Sequence, residues 1–389
     1  MLNDEIYEKL IKRLTDRIDN VNTYIIKQVG EKIKELGELK PTQANQLINV
    51  MKYGGDYQKI VKELTKITKL NMKEIDQIFN EVAKSDYRFA KKFYEFRNKP
   101  YVSFDENIPL KNEVEIVKRA TLETYSNLAN AKMIGYVIKN KANKYVFKTI
   151  KQVYEDIIDE GVLSITQGKD TFSNVLKTTI ESIGESGLRV KYPSGYTKRL
   201  DSAIRMNLND GLNQLHNQTQ KVLGEQFGAD GVEISAHINP AKDHQSLQGR
   251  QFSFEEYEKL NNGEEARTFD GLLIPANDKR RPVGTMNCRH YEYQIILGIS
   301  KPNYSEEELW KIMQDNLNGF TYEGKHYTNY EGTQMQRNLE LKIRQEQDKI
   351  ELASQSKDAN LENIIQKSKK KIKVYKKKRG ELQRLIFGG

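Results

Sequence analysis

The chain has 389 residues, 63 Lys+Arg against 54 Asp+Glu, a net charge of +9 and a mean hydropathy of −0.75. Apolar residues make up 37%, below the globular norm of roughly 45–50%, which favours long amphipathic helices over a thick α/β core. No stretch approaches the ~18 apolar residues of a membrane span, and the N-terminal MLNDEIYEKLIKRL lacks the apolar run of a signal peptide, so the chain reads as soluble.

Cys288 is the single cysteine, which excludes an intrachain disulfide and suits a reducing compartment. Length points to two or three domains. From Leu341 to Gly389 there are 14 Lys+Arg against 6 Asp+Glu, so the rest of the chain is close to neutral and the basic balance belongs to the tail.

Residues 1–110 are expected to be a helical region. Ile6, Leu10, Leu14 and Ile18 recur every four residues, and Ile11, Val21 and Ile25 widen the stripe. Gly30, Gly37 and Lys40-Pro41-Thr42 punctuate it, and Thr42 is placed to cap a helix through Leu47, Val50 and Met51. Gly54-Gly55-Asp56 is a break. One helical stretch then carries Ile60, Leu64 and Ile67, and another carries Ile75, Ile78, Phe79 and Val82. Tyr87, Phe89, Phe93, Tyr94 and Phe96 form an aromatic stripe suited to core packing. Pro100 opens a linker.

Residues 111–187 are expected to be a second helical region. Ile116, Ala120, Tyr125 and Leu128 share one face, and Ile157, Ile158 and Val162 continue the pattern. A turn falls near Gly168. A further helix runs through Phe172, Val175, Leu176 and Ile180. The pattern changes at residues 188–300, a small α+β module. Val190 and Tyr192 alternate with basic residues before Pro193-Ser194-Gly195, which predicts a β-hairpin. Asp201 is placed to cap a long helix holding Ile204, Leu208, Leu212, Leu215, Leu223 and Phe227. Val232, Ile234, Ala236 and Ile238 alternate with Glu233, Ser235 and His237, a half-buried strand with His237 on its polar face. Asp270-Gly271 suits a tight hairpin, and Tyr291–Leu297 reads as a strand.

The order of a long helix, Ser235-x-His237, His244-x-x-Leu247-Gln248-Gly249-x-x-Phe252, and then Asn287-Cys288-Arg289-His290 resembles the phage minor capsid protein 2 family, related to the Mu F-like head morphogenesis proteins. Gly195, Leu200, Asp201, Ala203, Arg205 and Met206 upstream fit the same pattern, as do Tyr330-Glu331, Gln336-Arg337, Glu340 and Ile343-Arg344 downstream. The likeness covers residues 185–385. It implies a minor head protein in the virion, assembled in the bacterial cytoplasm. Its partners would be portal and capsid proteins, and its work would be head assembly, DNA packaging or delivery rather than catalysis.

His237, His244, Cys288 and His290 offer the thiolate and imidazole set of a structural zinc site. Two other readings stand beside it: a polar network in a loop-rich core, and a nucleophile pair of Cys288 with His290 or His237. An enzyme using these groups is therefore the first rival to the structural reading. The carboxylates show no pattern that singles out an acid/base pair.

Residues 301–389 are expected to form a helical hairpin with a basic tail. Ser305 and Glu308 make a capping box with Tyr304 and Leu309 as a hydrophobic staple, and Trp310 is expected to anchor the core. His326 lies in a turn-like stretch with no ligand role. Leu339, Ile343, Glu346, Ile350 and Ala353 form one heptad stripe. Leu361, Ile365, Ser368, Ile372, Tyr375, Arg379, Leu382 and Ile386 form the other, with a polar loop at 354–360. Lys369, Lys370, Lys371, Lys373, Lys376, Lys377, Lys378 and Arg379 give the second helix a basic face, which either keeps the coil soluble or contacts DNA phosphates without reading sequence. A free DNA-binding protein is the second rival. The fold expected is mainly α with a small α+β module.

Overall fold

A computed structural model describes residues 4–37, 55–88, 91, 94–95, 98–130, 132–140, 144–153, 155–156, 172–261, 281–286, 288–354 and 359–388. The described chain is mainly α, with small antiparallel sheets. It divides into two compact units. The first comprises Met1–Ile11, Met72–Tyr125 and Arg205–Gln334; the second comprises Lys12–Asn71, Ser126–Ile204 and Met335–Gly389.

The amphipathic stripes form the expected helices. Helix α1 (Asp4–Gly37) buries Leu14, Ile18, Val21 and Ile25. Gly30 does not interrupt it; an isolated glycine inside a helix costs only about 1 kcal/mol relative to alanine. The helix capped by Thr42 and the turn at Gly168 lie outside the described residues, as do Ile157, Ile158, Val162 and the Asp270-Gly271 hairpin. Helix α2 (Gly55–Arg88) is one continuous element rather than two stretches. Of the aromatic stripe, Tyr87 and Tyr94 are buried; Phe89, Phe93 and Phe96 lie outside the described residues. Tyr94 donates to the Gln226 side chain, and Asn107 Nδ2 donates to the Tyr87 hydroxyl at 3.1 Å.

Helix α3 (Ile108–Leu128) buries Leu110, Val114, Val117, Thr121, Tyr125 and Leu128, which repeat every three or four residues. Ile116 is 49% exposed, so the face drawn through Ile116 and Ala120 is corrected by one position. The helical pattern expected to continue after it gives way to a hairpin, β1 (Ile134–Lys139) and β2 (Tyr145–Thr149), with Ile138 opposite Val146. Both segments are rich in β-branched and aromatic residues, which fit a pleated surface. Helix α4 (Phe172–Ser186) leads to β3 (Arg189–Lys191) and β4 (Thr197–Arg199), the predicted hairpin; together they form a sheet in the order β2-β1-β3-β4.

Helix α5 (Leu200–Phe227) buries every member of its predicted stripe. It starts one residue early, so Asp201 lies in the first turn rather than ahead of it. A second sheet has β5 (Gly231–Ile234) at its centre, flanked by β6 (Gln251–Ser253) and β7 (Glu292–Ile295), with helix α6 (Phe254–Asn261) after β6. Helix α7 (Glu306–Asn318) carries the predicted capping box: the Glu308 backbone donates to Ser305, and Glu308 accepts from the Ser305 backbone at 2.8 Å. Trp310 is 53% exposed and does not anchor the core. The helix buries Leu309, Met313 and Asn316, spaced at four and three; Trp310 is one residue, or about 100°, off that stripe. After a small hairpin, β8 (Phe320–Tyr322) and β9 (Lys325–Tyr327), come helices α8 (Asn329–Ser354) and α9 (Ala359–Phe387).

In the second unit α8 and α9 form the predicted antiparallel pair. Gln336 meets Gln383 at 2.9 Å, Glu340 meets Arg379 at 3.6 Å, and Glu346 meets Ser368 at 2.6 Å. The polar breaks at Glu346 and Ser368 therefore face each other, and the break at Arg379 meets Glu340.

Candidate functional site

The second sheet sets up the His/Cys cluster. Strand β5 has neighbours on both edges, and all four of its residues are buried, Glu233 included. The half-buried strand expected over 231–238 is thus corrected to a fully buried strand that stops at Ile234. Glu233 is held by Asn303 Nδ2 at 2.7 Å and Gln251 Nε2 at 2.7 Å, which satisfies its buried carboxylate. Beyond Ile234 the Ser235 N–H donates to Tyr291 O at 2.9 Å, and its hydroxyl accepts from the Tyr291 N–H at 2.8 Å. The chain then turns away through Asn239, which has positive φ.

His244 ends a short 3-10 turn, Lys242–His244. The following residues return to the sheet edge at Gly249, whose N–H donates to Ile234 O at 2.7 Å. From the other side, a turn holds the Cys288 N–H on Thr285 O at 2.9 Å, and Asn213 Nδ2 donates to Cys288 O at 2.5 Å. These two loops bring His244, Cys288 and His290 together. Cys288 Sγ is 3.4 Å from His244 Nδ1 and 3.4 Å from His290 Nδ1, and the two Nδ1 atoms are 3.3 Å apart. The two imidazoles are each 1% exposed, and Cys288 packs into an apolar cluster with Val232, Ile234, Leu247, Tyr257 and Val283.

His237 is not in this trio. Its ring lies against His290 with centroids 4.2 Å apart, while its Nδ1 pairs with Ile238 O at 2.9 Å. Asn287 lies outside the described residues, and Arg289 is exposed. Gln248, 1% exposed, places Oε1 3.3 Å from His290 Nε2 and 3.4 Å from the His237 N–H.

A clamp with no signature in the amino-acid pattern lies behind His244. The Arg281 guanidinium grips the Asp243 carboxylate with Nε to Oδ2 at 2.8 Å and Nη2 to Oδ1 at 3.0 Å. The Arg281 carbonyl sits 2.6 Å from His244 Nε2. Burial pushes the Asp243 carboxyl up, but Arg281 and the His244 charge outweigh it and hold it below the usual range. Burial raises the Cys288 thiol. Burial, together with the charges of His237, His244 and Arg281, drives His290 well below the usual histidine range, so it is neutral at pH 7.

The lysine-rich helix presents a different surface. Lys369, Lys370, Lys373, Lys376 and Lys377 are exposed, and at 3.6 residues per turn they share the face opposite buried Ser368, Leu382 and Ile386. Lys371 is drawn to Glu346 at 3.1 Å, and Arg379 to Glu340 at 3.6 Å, so these two serve the hairpin. Lys378 is half-buried.

Among the described residues no helix is long and apolar enough to cross a membrane. A helical scaffold with small sheets and an inward-facing polar cluster is compatible with many functions, and comparison with known proteins supplies the class: a structural protein of the phage capsid. The sequence matches the phage minor capsid protein 2 family over residues 2–384, and the chain belongs to that family. The match takes in the N-terminal half, which no motif had assigned. No curated protein and no solved structure matches the chain.

Proposed function

We propose that this minor capsid protein is a portal-associated component of the head that acts in assembly, DNA packaging or delivery, through contacts rather than catalysis. The observation that carries this reading is the extent of the family match, residues 2–384, which assigns nearly the whole sequence to a structural capsid family. The chemistry of the cluster agrees. A catalytic cysteine needs access to substrate, whereas Cys288 is 5% exposed and packs into an apolar cluster. Trp310 and Leu317, seven residues apart on one face of α7 and 53% and 47% exposed, suit a protein–protein contact.

A second reading concerns the exposed lysine face of α9. Five lysines on one face suit sequence-independent contact with packaged DNA phosphates. This reading predicts DNA binding that weakens steeply with salt and loses slope when Lys369, Lys373 and Lys376 become Gln.

The test of the main reading is mass spectrometry of purified particles and of DNA-free procapsids, with stoichiometry relative to the portal. The expected result is presence in both, at a fixed ratio to the portal. Absence from both overturns it.

A further inference from the structure

We infer that His244, Cys288 and His290 form a zinc-class metal site, with both imidazoles ligating through Nδ1 and the cysteine through its thiolate. The inference is independent of where in the head the protein sits.

Distance is the first argument. Zinc bonds of about 2.3 Å to sulfur and about 2.0–2.1 Å to imidazole, set at tetrahedral angles, require S···N separations of about 3.5 Å and an N···N separation of about 3.4 Å. The three separations in the protein are 3.4, 3.4 and 3.3 Å. The three donor atoms thus have the spacing of one face of a zinc tetrahedron.

The second argument is the direction of the lone pairs. A backbone carbonyl can only accept, so His244 Nε2, 2.6 Å from Arg281 O, carries the proton. Gln248 Oε1 accepts from the His237 backbone N–H, which fixes that end of the amide as the acceptor. His290 Nε2, 3.3 Å from the same oxygen, therefore also carries its proton. With the Nε2 proton so placed, Nδ1 is the ring nitrogen free to ligate in the neutral form of each imidazole, and each Nδ1 lies 3.4 Å from Cys288 Sγ. The thiol has one proton and can satisfy one of them. Two lone pairs 3.3 Å apart repel unless a proton or a metal ion lies between them, and a metal ion satisfies both nitrogens and the sulfur at once. The sulfur also accepts from the His290 backbone N–H at 3.4 Å, a contact that suits a thiolate.

Third, the surroundings have the form of an outer ligand shell. Metal-bound histidines as a rule donate their second N–H to a carbonyl or carboxylate group. Here Arg281 O and Gln248 Oε1 fill that role, and the bidentate Asp243–Arg281 pair fixes the loop bearing the Arg281 carbonyl. The ligand set of one thiolate and two imidazoles selects zinc or cobalt over magnesium or calcium. Among the described residues no fourth His, Cys, Asp or Glu joins the trio.

The experiment uses the full chain, purified without a metal-affinity tag, stripped with chelator and titrated with Co²⁺. One equivalent of Co²⁺ should bind, with the intense visible bands of a tetrahedral ion and a thiolate-to-cobalt charge-transfer band. One equivalent of Zn²⁺ should abolish both. Cys288→Ser should lose the charge-transfer band. Gln248→Ala should weaken zinc binding roughly 10–100-fold by releasing the His290 ring, and His237→Ala should leave the stoichiometry at one. Wild-type protein that neither develops the charge-transfer band nor retains zinc after desalting overturns the assignment, and so does loss of the ion in His237→Ala. Because the decisive spectrum is read on the wild-type chain, a variant that fails to fold does not shelter the proposal.

Discussion

Glu346 gives the sharpest test of how the C-terminal hairpin is held. Its carboxylate is 6% exposed in the seam between α8 and α9. It accepts from Ser368 Oγ at 2.6 Å, from Lys371 Nζ at 3.1 Å and from Lys349 Nζ at 3.4 Å. The Lys349 side chain is only 8% exposed, and its other partner, Glu185, is 58% exposed. Glu346→Leu strands that ammonium without its buried counter-ion. Breaking a buried pair in this way costs about 3–5 kcal/mol, and the buried leucine returns roughly 1–2 kcal/mol. The expected net loss is about 2–3 kcal/mol. The triple change Glu346→Leu, Lys349→Met, Ser368→Ala removes every buried member together. Methionine also keeps the aliphatic stem that packs where a Cβ on Gly184 would lie 2.4 Å from Lys349 Cγ. That variant should fall within about 1 kcal/mol of the parent. Hydrogen exchange of the amides of α8 and α9 reads the local opening free energy. If the triple variant is as unstable as the single one, the cost does not come from a stranded charge and the reasoning fails.

Two further predictions use glycines and carboxylates. Gly249 and Gly195 both have positive φ, +71° and +84°, but a Cβ on Gly249 would lie 2.2 Å from Leu309 Cδ2 while Gly195 has open space. Alanine at either site should cost about 1–2 kcal/mol for the backbone, and Gly249→Ala roughly 1–3 kcal/mol more for overpacking; equal melting shifts for the two would refute this. In the second unit burial raises Asp348 to about 7 and Asp19 to about 6, with Asp201 adding to both and Arg199 opposing. The folded state therefore holds protons that the unfolded state has released between about pH 4 and 7, and stability falls as pH rises through that window. Asp348→Asn should be nearly neutral at pH 4 and stabilising at pH 8, by on the order of 1–3 kcal/mol. Taking the difference between variant and parent cancels the opposite contribution of buried His290. A difference that does not change between pH 4 and 8 would sink the claim.

Much of the fold was legible because it rests on local rules. The stripe of α5, the Ser305–Glu308 box and the turn after Tyr192 are each written within a few residues. Several of the misses have a cause in tertiary context. Strands β1 and β2 pair with each other as a local hairpin, and their β-branched and aromatic residues were a local sign of it; the pairing of Ile134 and Gly135 with Val190 and Arg189, some 55 positions away, has no such sign. The alternation over 231–238 continues past the strand because Ile238, 63% exposed, matches the pattern by composition alone. Trp310 borders the apolar side of its helix, but the stripe through Leu309 and Met313 leaves it outside the core. In the cluster, the chemistry of His and Cys was readable, but the early end of β5 decides that His237 stands aside. The Asp243–Arg281 clamp joins residues 38 positions apart and carries no signature in either segment.

The polar breaks in the hairpin are better understood as part of its specification. An apolar seam between two long helices tolerates sliding by a heptad, because each leucine or isoleucine finds an equivalent hole. Glu346 and Ser368 remove that freedom. They meet at 2.6 Å in one register only, and any slip buries a carboxylate against apolar side chains. Glu340 and Arg379, which meet at 3.6 Å, and Gln336 and Gln383, which meet at 2.9 Å, mark the same register toward the far end. The arrangement need not add stability; its effect is to make the wrong alignments worse. With the register fixed, the exposed lysines of α9 keep one set of positions relative to the residues of α8.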